Sequence, residues 1–291
     1  MKSILLFSFV LQYLIPLTLS YGNLGHYIIG EVTYLTLKLQ TKNNLQSCGF
    51  LTPFNDSMGL ASRWADAIKG NPAYRWTSPF HYYDIENDPP LSCGKFLPPA
   101  SNRSINLYNG VKRALNNHTC SSKRKTCNRC GSKFHNGMMM HLLQDAFQPL
   151  HLTGKARGGN EVWFVKNGTK YNLHKFWDTN VLEMHLKDVG YEDDIHKAVA
   201  YFYDKMKNTT LPENSCPTNV NSSNMDVLDY IFGKSQKVLD INCDLVWRTE
   251  IDDYIELSKE MVQGLIISSI TTLNCVLERI YGNLTQTQSI L

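Results

Sequence analysis

At 291 residues with a formal net charge of +3, the chain has no broad basic field, so any site for a polyanion must be local. With 43% hydrophobic residues it is apolar enough to bury a real core, in one large domain or two small ones. Lys2, the mostly apolar stretch 4–19 and the small residues Thr18 and Ser20 read as a secretory leader. Residues 1–20 are then removed by cleavage after Ser20, and Tyr21 begins the mature chain. Gln12 and the Ser20-Tyr21-Gly22 stretch leave the apolar run short for a membrane span. Secretion suits the N-x-S/T sequons at Asn55, Asn102, Asn117, Asn167, Asn208, Asn221 and Asn283, which are candidate glycosylation sites. It also suits an even set of eight cysteines, whose pairing the sequence alone leaves open.

In chain order, apolar patterning predicts helices over 27–39, 60–69, 105–115 and 134–147. The last stops ahead of Pro149, because the residue before a proline avoids helical geometry. Val162, Phe164 and Val165 ahead of Lys166-Asn167-Gly168 predict a short β-hairpin within 160–173. Helical patterns return over 174–186, 195–206, 225–239 and 251–280. The last of these carries Ile255, Val262, Ile266, Ile270, Leu273, Leu277 and Ile280 at spacings of three, four or seven, as a core helix does. The connectors 86–106, 116–132 and 209–224 are polar. No repeat or Pro/Gly linker divides the chain, so a single mainly helical domain over 21–291 is expected.

The chemistry concentrates in "HLLQDAFQPLH", residues 141–151. His141 and Asp145 lie four apart and so share one helix face, and His174 and Asp178 in "NLHKFWD" repeat the spacing. One such pair is usually a surface salt bridge or a cap. Here the neighbours are Met138, Met139, Met140, Leu142, Leu143, Phe176 and Trp177, among which unpaired polar groups are costly to bury. A metal or a complete hydrogen-bond network would offset that cost, and imidazole with carboxylate is a donor set that zinc accepts. His151, Asp66 in "WAD", His81 in "HYYD" and His26 in "YGNLGH" repeat the anomaly. A freed α-amine at Tyr21 could add a further donor, because it titrates near neutrality.

"WAD", "HYYD", "HLLQDAFQPLH", "GGN" and "NLHKFWD" occur in an order and spacing that resemble the zinc-dependent class I nucleases. These are the S-one/P-one single-strand nucleases of fungi and the bifunctional nucleases of plants, related in fold to bacterial zinc phospholipase C. The resemblance implies a mainly α, single-domain, multi-helix fold of phospholipase C type and three zinc ions in one cleft. Asp66, His81, His141 and Asp145 would hold the first ion, and His151, His174 and Asp178 the second. The Tyr21 amine and carbonyl, His26 and Asp145 would hold the third, so Asp145 bridges two. It further implies a secreted enzyme that cuts single-stranded DNA and RNA to 5′-phosphorylated products by attack of a zinc-bridging hydroxide, and that also takes 3′-nucleotides. Asp145 and Lys69 are the residues it implies for catalysis. Tyr82 would stack on a base, Asp84 would bond its edge and Lys69 would meet phosphate. The enzyme would be a monomer without stable membrane association.

Tyr21 stands where the family usually has tryptophan, Lys69 where it commonly has arginine, and Phe147 where a non-ligand histidine is frequent. Lysine keeps the charge but loses the bidentate fork. Cys93 and Cys243 fall near positions of a family disulfide. Cys120, Cys127 and Cys130 with His135 read either as a zinc knuckle or as a disulfide within that loop, and the secreted context favours the disulfide. The run Lys123-Arg124-Lys125 reads as solvated loop. Two other functions compete: a lipid phosphodiesterase of phospholipase C type, and a zinc-stabilised glycoprotein that binds without turnover.

Overall fold

Several helices in this protein start at a polar side chain that accepts from backbone amides left unpaired at the first turn. The computed structural model describes residues 22–118, 130–191, 194–209 and 223–282. α1 (Gly22–Thr36) and α2 (Leu39–Ser47) are followed by α3 (Met58–Lys69), capped by Ser57 Oγ accepting from Leu60 N. A 3-10 helix, Arg75–His81, precedes α4 (Leu107–Asn116), which Asn106 caps. Ser132 caps α5 (Lys133–Asp145), and Gln148 caps the 3-10 turn Pro149–Leu152. Strands β1 (Trp163–Lys166) and β2 (Thr169–Asn172) pair antiparallel with Lys166 opposite Thr169. Asn167 and Gly168 form the turn in the left-handed region, the backbone that an Asn-Gly hairpin requires.

α6 (Leu173–Lys175) runs through a π turn, Phe176–Asn180, into α7 (Val181–Asp188). α8 (Ile195–Lys207) and α9 (Asn224–Ile241) follow, the latter with a reciprocal capping box between Ser223 and Asp226. A second π turn, Asn242–Val246, leads towards α10 (Tyr254–Tyr281). The expected mainly α fold with a small hairpin is what the chain adopts.

α5 is the central element, packed against α3, α4 and α10, while α1 packs against α3, α8 and α10. Every residue of α5 from Asn136 to Asp145 is buried. Met138, Met139, Met140, Leu142 and Leu143 join one continuous core with Ile28, Val32, Ala61 and Val276. Each such side chain contributes about 1.5–3 kcal/mol by leaving water. Gly30 lets α1 lie close on α3, since a Cβ there would come within 2.6 Å of Met58 O. α10 is long and apolar enough to cross a membrane by composition, but Val262, Ile266, Ile270, Leu273 and Leu277 are buried in this core, as the spacing predicts.

Three expectations need correction. The first helix begins at Gly22 and ends at Thr36, with Lys38 extended before α2. α2 itself has no apolar stripe to betray it. It is held by polar contacts to α10 instead: Thr41 Oγ1 donates to Glu278 Oε2 (2.8 Å), and Asn44 Nδ2 donates to Tyr281 O (2.6 Å). Cys130 is bonded to Cys48, not within its own loop, because the C-terminus of α2 lies beside the approach to α5. Cys120 and Cys127 lie outside the described residues, as do Cys216 and the basic run 123–125. The Cys93–Cys243 bond forms as the resemblance implies. Among the sequons, Asn55, Asn102, Asn167 and Asn208 are exposed, the Nδ2 of Asn117 is buried, and Asn221 and Asn283 lie outside the described residues.

Candidate metal centre and active-site cavity

Six segments carry histidine and aspartate side chains to one point. α1 brings His26, α3 brings Asp66, the 3-10 helix Arg75–His81 ends on His81, and α5 carries His141 and Asp145 in its last two turns. The turn Pro149–Leu152 adds His151, and the α6–π-turn segment adds His174 and Asp178. Three groups result, each with its ligand-type atoms within 4.8 Å of one another: Asp66, His81 and His141; His26, His141 and Asp145; and His151, His174 and Asp178. All are buried. Tyr21, the remaining expected ligand, lies outside the described residues.

Asp145 is the hub. Its Oδ2 lies 3.1 Å from His81 Nδ1 and 3.3 Å from His141 Nε2, while its Oδ1 lies 3.6 Å from His26 Nε2 and 3.7 Å from His151 Nδ1. His141 Nε2 and His81 Nδ1 approach to 3.0 Å, and the rings of His26 and His141 stack at 3.9 Å. His141 thus stands between the first group and the His26 group. In the other group His174 Nε2 is 3.0 Å from Asp178 Oδ2. Asp178 lies in the π turn, a widening of the helix found often at functional sites.

Three of these rings are fixed from behind. The Nδ1 of His141 donates to Ser62 O (2.7 Å), that of His174 to Gly158 O (2.6 Å) and that of His26 to Gln144 Oε1 (2.7 Å). A proton held on Nδ1 leaves Nε2 as the lone-pair donor aimed into the cluster, which is how protein scaffolds orient imidazole ligands. The Gly158 carbonyl reaches its place because that residue is left-handed (φ +61), and a Cβ there would come within 2.7 Å of Leu150 O. The "GGN" motif therefore has a structural reason. Gln148 Nε2 donates to Asp178 Oδ1, and its Oε1 accepts from Leu150 N and His151 N. Gln144 and Gln148 were not singled out from sequence, although both lie in "HLLQDAFQPLH". Their signal was there: buried amides flanking an anomalous aspartate.

The electrostatics follow from crowding. Burial opposes charge on His141, but Asp145 and Asp66 raise it to about 10. Burial, helped by the neighbouring His141, lowers His26 to about 3. Burial also lowers His81 and His151, whereas at His174 the attraction of Asp178 outweighs burial and raises it. Asp145 lies well below the carboxylate range despite its burial, held there chiefly by His141. Asp66 is likewise lowered, by His141 and by Lys69, whose Nζ is 2.6 Å from Asp66 Oδ1.

The donor set fits a metal. Asp66 Oδ2 is buried without a hydrogen-bond partner. Five histidines and three aspartates converge in a core where an unpaired charge is costly, and they are the ligand types zinc takes.

The centre opens on a cavity of about 360 Å³ whose lining includes His81, His151, His174, Lys69, Tyr82 and Asp84. Tyr82 is 40% exposed, so its ring is not core packing. Burial raises the carboxyl of Asp84, and Gly154 makes room for it, since a Cβ there would lie 3.2 Å from Asp84 Cβ. Asn160 and Arg157 also reach this cavity.

The profile of the family described as S1/P1 Nuclease matches residues 21–281, nearly the whole chain. The chain belongs to the S1/P1 nuclease family. Nuclease S1 of Aspergillus oryzae is 30% identical over 174 residues, covering 58% of this chain and 57% of that protein. Endonuclease 4 of Arabidopsis thaliana is 29% identical over 187 residues (61% and 60%), and Nuclease P1 of Penicillium citrinum is 27% identical over 164 residues (55% and 57%). The matched stretch spans less than two thirds of the length of each of these S1/P1 relatives.

Proposed function

We propose that the protein is a secreted nuclease that hydrolyses phosphodiester bonds of single-stranded DNA and RNA to 5′-phosphorylated products, and that also hydrolyses 3′-nucleotides to nucleoside and phosphate. The observation that carries this reading is that the buried histidine–aspartate cluster opens directly onto a cavity shared by Tyr82, Asp84 and Lys69. Three zinc ions are the cofactors it calls for: one on Asp66, His81, His141 and Asp145, one on His151, His174 and Asp178, and one on His26, Asp145 and the Tyr21 terminus. Bound zinc would supply a water acidic enough to attack near neutral pH and positive charge for the developing phosphorane. The chain's own groups do the rest. Lys69, held by Asp66, presents a cation to the phosphate. Tyr82 stacks on a base, and Asp84 accepts from its edge. The Cys48–Cys130 and Cys93–Cys243 bonds suit the oxidising compartment of a secreted protein.

A base paired in duplex must be unstacked before it reaches Tyr82, at roughly a few kcal/mol. Single strands are therefore cut faster than duplex by orders of magnitude, at about 1.4 kcal/mol per tenfold. Tyr82→Ala weakens every base alike by about 1–3 kcal/mol. Asp84→Ala changes the preference among bases, because it removes a directional bond. The test is digestion of single- and double-stranded DNA, RNA, 3′-AMP and phosphatidylcholine, with and without chelator. Hydrolysis of phosphatidylcholine alone sinks the nuclease reading in favour of a lipid phosphodiesterase, and chelator-resistant cleavage sinks the metal assignment.

Zinc uptake has a proton signature. His141, raised to about 10, is protonated at neutral pH in the metal-free chain. A metal takes the neutral ring, so adding zinc to chelated protein at pH 7 releases about one proton from this residue. Uptake in weak buffer without acidification contradicts the placement of His141.

A further inference from the structure

We infer that Trp76, with Tyr74 and Phe134, forms a second stacking platform that binds bases of a single strand beyond the nucleotide held at the cavity. The inference rests on the nuclease reading for its substrate and on separate residues for its geometry. Trp76 is 50% exposed and Tyr74 36% exposed, although large aromatic rings contribute most to stability when buried. Their rings are nevertheless ordered against one partner. Tyr74 lies nearly parallel to Phe134 (centroids 6.3 Å, 21°), and so does Trp76 (5.7 Å, 25°). Phe134 in turn sits edge-on to Trp64 of α3, which ties the cluster to the core. A ring braced by a neighbour while its other surface meets water is the form of a base-stacking site.

Position and charge give the occupant. Tyr74 immediately precedes the 3-10 helix Arg75–His81, Trp76 lies in its first turn, and its later residues Ser78 and His81 line the cavity. From Trp76 to His81 the helix rises about 10 Å at ~2.0 Å per residue. That is roughly three stacked nucleotides at ~3.4 Å each. A strand whose reacting phosphate lies at the metal centre therefore reaches Trp76 within a few bases.

Arg75 and Arg113 are exposed beside the platform, and Arg113 Cζ lies 5.2 Å over the ring of Phe80, which Trp76 meets edge-on at 5.9 Å. Lys133, exposed, neighbours Phe134 in sequence. None of these three cations takes part in an ion pair among the described residues, which leaves them for a phosphate backbone. Tyr82 lies at the far end of the same helix, so the two stacking positions are separate.

The test compares a thymidine dinucleotide with a thymidine decamer, for wild type, Trp76→Ala and Trp76→Phe. The dinucleotide is too short to span both positions. In Trp76→Ala the KM advantage of decamer over dinucleotide shrinks by about tenfold, within the range that one stacked base contributes. The dissociation constant for a fluorescein-labelled decamer, read by anisotropy, rises by a similar factor. Trp76→Phe retains most of both, because a smaller ring still stacks. An unchanged decamer-to-dinucleotide ratio in Trp76→Ala overturns the platform, and so does an equal loss in the phenylalanine variant. A wild type that binds the decamer through Trp76 but cleaves nothing overturns the nuclease reading and leaves the platform standing. A wild type that does not bind the decamer overturns both.

Discussion

Replacing Asp145 with asparagine abolishes hydrolysis of every substrate and lowers the melting temperature by about 6–10 °C. The side chain is fully buried and its two oxygens face four histidines, two on each side. The amide is nearly isosteric, so the effect is electrostatic. His141 carries its charge because Asp145 and Asp66 outweigh its burial. Taking one partner from a buried ion pair costs about 3–5 kcal/mol, and in a chain of this size each kcal/mol is worth ~2 °C. Were Asp145 to hold two zinc ions as proposed, the amide would remove the negative charge that offsets their repulsion. Metal analysis should then show the loss of more than one zinc per chain. Full zinc content with near-native activity refutes the bridging role.

Gln148→Leu should lower stability by about 2–6 kcal/mol and strip zinc from one group only. Gln148 is fully buried and serves three partners, donating to Asp178 Oδ1 and accepting from Leu150 N and His151 N. Leucine fills the volume but leaves Asp178 Oδ1 and Leu150 N without this partner, while His151 N keeps its bond to the carbonyl of residue 148, and each such buried group costs about 1–3 kcal/mol. The affected ligands are His151 and Asp178. The first group and the His26 group, fixed by Ser62 O and Gln144, keep their supports. One zinc lost, against several for Asp145→Asn, is the distinguishing reading. Retention of all metal, or uniform loss, contradicts the division of supports between the two glutamines.

These supports mark the limit of what the chain discloses by inspection. The histidines and aspartates were legible because a charged group in an apolar helix is an anomaly, and the one-turn spacing of His141 with Asp145 places both on one face. The hairpin was legible from Asn167-Gly168, and α10 from its apolar period. α2 was not, since it is held by hydrogen bonds from Thr41 and Asn44 to the far end of the chain, and no local pattern encodes a partner more than two hundred residues away. The Cys48–Cys130 pairing was hidden for the same reason, as it joins cysteines 82 residues apart that only the fold brings together. The carbonyls of Ser62 and Gly158 were invisible in principle, because every residue has one and only the fold selects which faces a histidine. The wide turn at Phe176–Asn180 likewise left the predicted helix over 174–186 interrupted near its start.

α5 is buried from Asn136 through Asp145, and its last five residues include two groups of the centre. Structural cohesion and chemistry therefore occupy the same stretch of chain. An enzyme whose reactive groups sit on loops can lose them by local breathing while the body stays folded. Here His141 and Asp145 become accessible to solvent only when the helix that organises the body opens. Amide exchange along residues 138–145 should consequently report the global opening free energy. The same coupling constrains change over generations. A substitution at Met139 or Leu142 that merely thins the interior also disturbs the histidine–aspartate centre, so this helix has little room to drift, whereas the exposed hairpin residues Trp163 and Val165 can vary with little effect on the centre.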